Sequence, residues 1–300
     1  MSVVRWSVQF ALGLLLLSCG SFAAAQAVNR MTLDKIRDYR AVYVGVRENN
    51  VPFSYINGYE AVGYSIDICE HIVAAIRREL NDPALRVIHV PVTSSSRMLM
   101  LLAGTIDIEC GSTTNTRIRQ QLVAFGLTTF VSGIRAVVRK DSGISRIEDL
   151  DGKAVATTAG TTTERILRSV LGARKLSFVS RPARTHTESL ALVAARQADA
   201  FVIDDALLAG LIANSPDREV FLMLNENFGF EPYGIALRRN DPRFKSLVDA
   251  ALRELMVSGE LERIYNKWFL SPIPPKGINL NIPMSGLLRD LLKNPNDEGI

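Results

Sequence analysis

Cysteine is scarce in this chain, three residues in 300, and Cys19 falls in a leading segment that reads as removable, which leaves Cys69 and Cys110. Histidine is equally rare at three, and no His/Cys spacing matches a metal-ligand pattern. No G-x-S-x-G elbow is present, so Ser112, His186 and an aspartate do not add up to a hydrolase triad. The Lys-Ser/Thr ending of a Walker loop is missing too. Charge of one sign does not accumulate: the formal net charge is +4, with basic and acidic residues interspersed. That excludes the basic stripe of a nucleic-acid binder and leaves a mild preference for small anionic partners. Beyond the first residues no apolar run is long enough to cross a bilayer. What remains, 47% hydrophobic and 22% charged residues, is the composition of a soluble globular protein with room for about two domains.

The first 27 residues read as an export signal. Arg5 supplies a weak positive start, 10–17 is a short apolar run, and Ala23-Ala24-Ala25 or Ala25-Gln26-Ala27 fits a cleavage site. Leu16-Leu17-Ser18-Cys19 also looks like a lipoprotein box, an imperfect one because Leu17 stands where a small residue is usual. A free periplasmic protein is therefore expected in preference to one anchored at Cys19. The oxidising compartment permits a disulfide, but spacing alone does not decide pairing. Cys69 shares a helical face with Ile72, Val73 and Ile76, which favours a buried free thiol.

The mature chain alternates between strand and helix periodicity. A helix is expected over 32–39, strands over 42–46, 86–92 and 105–109, and helices from 63 to about 80 and from the serines at 94–96 to Gly104. Phe130 opens a long apolar strand to Lys140. The alternation then restarts, with strands near 154–158, 176–179 and 200–203 and helices over 162–171, 189–195 and from Asp205 to Asn214. Strand–helix alternation of this kind gives parallel sheets, so two α/β units are expected, joined near 131–138 and 233–238. Helices over 244–258 and 261–269 need a sheet to cover. This predicts a discontinuous first lobe, 28–131 plus 235–300, with an inserted second lobe, 132–234, and a ligand cleft between them. Residues 294–300 read as a frayed tail.

Asp107-Ile-Glu-Cys-Gly-Ser-Thr-Thr-Asn115 organises the first unit: a strand runs straight into a small, hydroxyl-rich turn. Such clusters are ordinary turn formers, yet ligands of open α/β sheets sit at this carboxyl edge. Arg97 follows natural N-caps and falls in the first turn of its helix, where a cation opposes the helix dipole by about 0.3–1 kcal/mol. A bound anion would offset that penalty; otherwise the side chain points into solvent. Arg47 leaves a buried strand at its ligand-bearing edge, or else pairs with Glu48 or Glu60. Gly160-Thr-Thr-Thr-Glu164 reads as a capping box of Thr161 with Glu164, and Thr161 and Thr162 offer a second helix N-terminus to an anion. Of Asp204 and Asp205, one is expected to cap a helix and the other to receive an ammonium. His186 is a surface or capping residue, or a donor to a carboxylate at the cleft. Two arginines on one cleft suit a dicarboxylate, and the polar groups suit holding charge rather than activating a nucleophile.

Gly45-Val-Arg-Glu-Asn-Asn-Val-Pro-Phe-Ser-Tyr55, Gly63-Tyr-Ser-Ile-Asp67, 93–97, Glu109-Cys-Gly-Ser-Thr-Thr-Asn115, Gly160-Thr-Thr162, Phe201-Val-Ile-Asp-Asp-Ala-Leu-Leu208 and Trp268-Phe-Leu-Ser-Pro-Ile-Pro-Pro-Lys276 occur in one order. In these the chain resembles the glutamate/aspartate-binding periplasmic proteins of ABC importers, within the family 3 solute-binding proteins, from about residue 30 onward. The resemblance implies a type II two-lobed clamp with a two-segment hinge, which closes on an acidic amino acid and delivers it to a membrane permease. It implies Arg97, Thr114, Thr161 and Thr162 on the α-carboxylate, Asp204 and Ser112 on the α-ammonium, and Arg47, Ser94 and His186 on the side-chain carboxylate. It implies no cofactor and a monomer. Two departures stand out. Family members often carry two serines where this chain has Asn49-Asn50, which leaves glutamate against aspartate open. Others carry a cysteine where this chain has Ile235, so Cys110 lacks that partner. The rival readings are a clamp for glutamine, a dehydratase-type enzyme using Glu109 or Asp204, and a ligand-sensing partner of a membrane receptor.

Overall fold

The computed structural model describes residues 31–300, so the expected export segment and Cys19 lie outside the described residues. Helix α1 (Thr32–Tyr39) leads into β1 (Ala41–Val46), whose Ala-Val-Tyr-Val-Gly-Val run is buried along nearly its whole length. An apolar strand of this kind belongs in the middle of a parallel sheet, and β1 indeed has neighbours on both sides. A three-stranded antiparallel ribbon follows, of β2 (Asn49–Asn50), β3 (Ser54–Asn57) and β4 (Glu60–Val62). Helix α2 (Tyr64–Leu80) starts behind Gly63, at φ 139°, where a Cβ would lie 2.2 Å from the Phe53 carbonyl oxygen; only glycine fits there. Strand β5 (Arg86–Pro91), helix α3 (Arg97–Leu102), β6 (Ile108–Glu109), α4 (Arg117–Gln120) and β7 (Val123–Phe125) complete the first pass.

Strand β6 is shorter than its sequence suggests. The Asp107 carboxylate accepts the Tyr43 N–H at 2.8 Å and pairs with Lys35 at 2.8 Å, so a side chain takes the donor that a longer ladder would use.

The second unit begins with β8 (Phe130–Arg139) and continues through β9 (Lys153–Thr158), α5 (Thr163–Ala173), β10 (Phe178–Ala183), α6 (His186–Ala194), β11 (Ala200–Asp204), α7 (Asp205–Asn214), β12 (Phe221–Met223) and β13 (Gly229–Tyr233). Its sheet runs β10-β9-β11-β8-β12, with β13 also on β8. The chain then returns through β14 (Ala236–Arg238) to the first sheet, ordered β5-β1-β6-β14-β7. Both segments expected as connections are thus themselves sheet members. Helices α8 (Pro242–Val257) and α9 (Glu260–Phe269) pack on α2 and cover the first sheet, and α10 (Gly286–Lys293) follows. The result is two lobes, each built on its own mixed sheet.

Where the chain crosses between sheets, Phe130 opposes Tyr233 in the ladder. Their rings join Phe53, Tyr64, Tyr265 and Phe269 of the first lobe in one cluster, with centroids 4.4–6.1 Å apart. Edge and offset contacts of this kind add about 0.5–1.5 kcal/mol per pair beyond burial.

Two expectations are overturned. Cys69 and Cys110 form a disulfide, with Cα atoms 6.3 Å apart and a sequence separation of 41. The face of α2 that carries Cys69 lies over the end of β6, and helical periodicity identifies a buried face without naming what covers it. Replacing both cysteines by alanine is expected to cost about 2–4 kcal/mol, read as a lower denaturation midpoint; an unchanged midpoint would mean the bond contributes nothing. The last residues, 294–300, are not frayed either. Thr128 N donates to Asn296 O at 2.9 Å, Arg117 N to Ile300 O at 3.0 Å, and Ile300 N to Asn115 O at 3.2 Å. Their polar composition suggested a loose end, but unpaired backbone groups of the first lobe were waiting for partners.

Candidate functional site

Both sheets direct their carboxyl ends toward the gap between the lobes. From the first lobe, Arg47 leaves β1 and is 6% exposed; its backbone N–H donates to Ser54 Oγ and its Nη2 to Ser94 Oγ, both at 2.9 Å. Its Nη1 is buried without a hydrogen-bond partner in the chain. Arg97 opens α3, 3% exposed, and its Nη1 donates to Thr113 Oγ1 and Ser112 O, while Nε is buried and unpartnered. Ser112 Oγ accepts from Asn50 Nδ2 at 3.0 Å. Thr114 Oγ1 donates to Glu231 Oε2 at 2.6 Å.

From the second lobe, Thr162 Oγ1 donates to the other oxygen of Glu231. His186 Nδ1 meets Thr158 Oγ1 at 2.8 Å, and Thr158 Oγ1 meets Ser189 Oγ at 2.9 Å. Asp204 ends β11 with Oδ1 buried and unpartnered. All nine residues singled out from the sequence, Arg47, Ser94, Arg97, Ser112, Thr114, Thr161, Thr162, His186 and Asp204, line one narrow gap.

The local roles differ in places from expectation. Thr161 and Glu164 form no capping box: Thr161 Oγ1 donates to Thr158 O at 2.7 Å, and Glu164 pairs with Arg168 one turn on. The intrahelical ion pair and a turn closure won over the cap. Ser96 occupies the N-cap position of α3, but its hydroxyl accepts from Thr93 N instead. Asp204 takes the N-cap position of α7 without a side-chain cap bond, whereas Asp205 accepts from Ser132 Oγ at 2.8 Å and Gly133 N at 3.1 Å, fastening α7 to β8. Neither aspartate caps with its side chain.

Four further residues line the gap: Arg119, Ile203, Leu207 and Glu231. Arg119 follows the same logic as Arg97, a cation in the first turn of a helix just after a hydroxyl-rich turn, with Thr116 Oγ1 accepting its N–H at 3.1 Å. Its Nη1 donates to Thr114 O at 2.9 Å and its Nη2 reaches across to Gly160 O at 3.2 Å. Glu231 stands in an extended segment with Tyr233 two residues on, an acid on the buried face of a strand. Glu109 is fully buried but does not line the gap; it receives Thr113 Oγ1 at 2.5 Å and lies 3.9 Å from Arg97 Nη1 as its counter-charge. That placement removes Glu109 as an acid poised over a ligand.

Burial and crowding set the electrostatics. Burial, followed by the charge of Arg97, brings Arg47 down to about 9 and Arg119 down to about 10. Burial pushes His186 well below the ordinary histidine range, reinforced by Arg47 and Arg97, so its ring is neutral. Burial pushes Asp204 well above the carboxylate range, and neighbouring Glu231 raises it further. Three guanidinium groups and the Asp204 carboxyl brought together in one buried gap suit a partner with two negative charges and one positive. Among the described residues no group of histidines, cysteines and acids could hold a metal.

The lobes stand closed. Gly160, at φ 79°, presses on the Ser94–Ser95 backbone, where a Cβ would come within 2.7 Å. Gly210 of α7 lies under Val51, where a Cβ would meet the carbonyl oxygen at 2.2 Å.

Residues 42–271 match the bacterial extracellular solute-binding proteins, family 3. A glutamate/aspartate import solute-binding protein of Salmonella typhimurium is 42% identical over 270 residues, covering 90% of this chain and 89% of its own. An L-glutamate/L-aspartate-binding protein of Pseudomonas aeruginosa is 41% identical over 269 residues, 89% of each. Among solved structures, a mutant of the T. maritima ArgBP superposes with a TM-score of 0.69 at 28% identity, covering 79% of this chain and 99% of that one. The two-lobed fold, the closed gap and the sequence motifs around it therefore place the chain in family 3 of the bacterial extracellular solute-binding proteins.

Proposed function

We propose that this protein captures L-glutamate or L-aspartate between its lobes and delivers it to the permease of an ABC importer, without catalysis. The observation that carries this reading is the meeting of Arg47, Arg97 and Arg119 with Asp204 in one buried gap fed by both lobes. The lobes are assigned as 28–131 plus 235–300, and 132–234. Arg97, Thr114, Thr161 and Thr162 hold the α-carboxylate, with Arg119 beside Thr114. Asp204 and Ser112 receive the α-ammonium. Arg47, Ser94 and His186 hold the side-chain carboxylate. The mature protein acts as a monomer in the periplasm, and the disulfide suits that compartment. Closure by ligand is a population shift, as large as the ligand's differential affinity for the closed form.

The test is calorimetric titration of unfolded and refolded mature protein with glutamate, aspartate, glutamine and asparagine. Tight one-to-one binding of the acids, with the amides far weaker, is expected. Equal binding of the amides would overturn the side-chain assignment, and no binding at all would overturn the function. A proton is also expected to leave on binding. Asp204 is held protonated above the ordinary carboxylate range, and an ammonium favours the ionised form. Affinity for the acids should therefore rise with pH from about 4 upward until the raised pKa is passed. Over the same window the ligand-free closed form loses stability. Binding heats independent of buffer ionisation enthalpy would show Asp204 already ionised before capture.

A further inference from the structure

We propose that residues 294–300 form a strap that positions the Thr114–Arg119 side of the ligand site. This rests on the functional reading above, since it concerns residues assigned there to the ligand. The segment lies beyond residues 42–271 matched by the family, yet it is fastened to the wall of the site at several points. Asp297 O accepts from Asn115 Nδ2 and from Gln120 Nε2, each at 2.9 Å. Ile300 exchanges backbone bonds with Asn115 and Arg117, and Asp297 pairs with Lys245 at 2.8 Å. Gly299 packs backbone to backbone: a Cβ there would lie 2.9 Å from Thr116 C and 3.0 Å from Arg117 N.

The fastened residues, 115–120, sit directly between and around the two that face the gap. Helix α4 has only four residues, too few to hold its shape by internal hydrogen bonds. Its first N–H, that of Arg117, has no partner within the helix and is taken by Ile300 O. Arg119 rides on this turn, gripping Thr114 O and reaching Gly160 O on the opposite lobe. The strap thus fixes the base from which the cross-cleft guanidinium extends. Its residues touch no ligand; they act through Asn115, Arg117 and Gln120.

The test compares four proteins by rapid-mixing and calorimetric titration with L-glutamate: the intact mature chain, a chain ending at Lys293, Arg119→Ala, and the two changes combined. Loss of the strap is expected to weaken binding by about tenfold, mostly through faster dissociation, and to lower the ligand-free melting temperature as Arg117 N and Thr128 N lose their partners. In the Arg119→Ala background the truncation should add almost nothing, because both changes remove one interaction. A truncated chain that binds like the intact one, or losses that multiply independently, would overturn the strap. Should the truncated chain fail to fold, Gly299→Val, which lifts the strap without removing it, carries the same comparison. If the intact chain binds neither glutamate nor aspartate, it is the functional reading that falls.

Discussion

Replacing Arg97 by alanine is expected to weaken glutamate binding by roughly 100- to 4,000-fold. The reasoning starts from burial: the guanidinium is 3% exposed, so water cannot take its place beside a bound carboxylate. Removing one partner of a buried charge pair costs about 3–5 kcal/mol, because the other charge stays buried and unpaired, and each 1.4 kcal/mol is a factor of ten. Arg97 has a second duty, as the counter-charge 3.9 Å from Glu109 Oε1. Alanine therefore strands Glu109 as well, and a lower melting temperature of the ligand-free variant is expected alongside the lost affinity. Arg97→Lys separates the two effects. It keeps a positive charge near Glu109 but loses the planar fork that serves a carboxylate. Its melting temperature should stay near that of the parent while glutamate binding still falls at least tenfold. If Arg97→Ala melts lower yet binds glutamate as the parent does, the arginine is a structural counter-ion only.

The second large effect is one of selectivity. Arg47→Ala should cost glutamate and aspartate about 2–5 kcal/mol of binding, the range for truncating one side of a buried, hydrogen-bonded charge pair. Glutamine should lose little or even gain, because in the parent it leaves this guanidinium facing a neutral amide. Arg47 Nη2 is already committed to Ser94 Oγ, while Nη1 is buried with no partner in the chain; that free donor is the group a side-chain carboxylate would use. The measurement is the ratio of glutamate to glutamine affinities, which should collapse by about 30- to 4,000-fold. Equal losses for both ligands would mean that Arg47 shapes the gap without reading the side chain.

Much of this site could be read from sequence because its parts stand at element ends. Arg47 at the close of an apolar strand, Arg97 behind a run of serines and Asp204 at a strand-to-helix junction each carry a local signal. Secondary structure then places all three at the carboxyl edges of the two sheets. Arg119 carried the same signal as Arg97, on a helix too short for periodicity to announce it. Glu231 carried none: an acid in a strand reads as a solvent-facing residue until the antiparallel pairing of β13 with β8 turns it inward. The Cys69–Cys110 bond and the ordered last residues depend on contacts between segments far apart in sequence, which no local pattern encodes. The capping box failed for a different reason, since Glu164 had a competing partner one turn away in Arg168.

The contact of Gly210 with Val51 has a mechanical meaning. At that point the two jaws meet backbone to backbone, with no side chain between helix and loop, so the depth to which the clamp shuts is set by a missing methyl group. Any side chain at 210 would act as a doorstop, holding the arginines of one jaw away from Thr162 and Asp204 of the other while leaving every one of those groups intact. The grip on the ligand is thus controlled at a position that never touches it, where the smallest residue in the chain sets the stroke of the whole device.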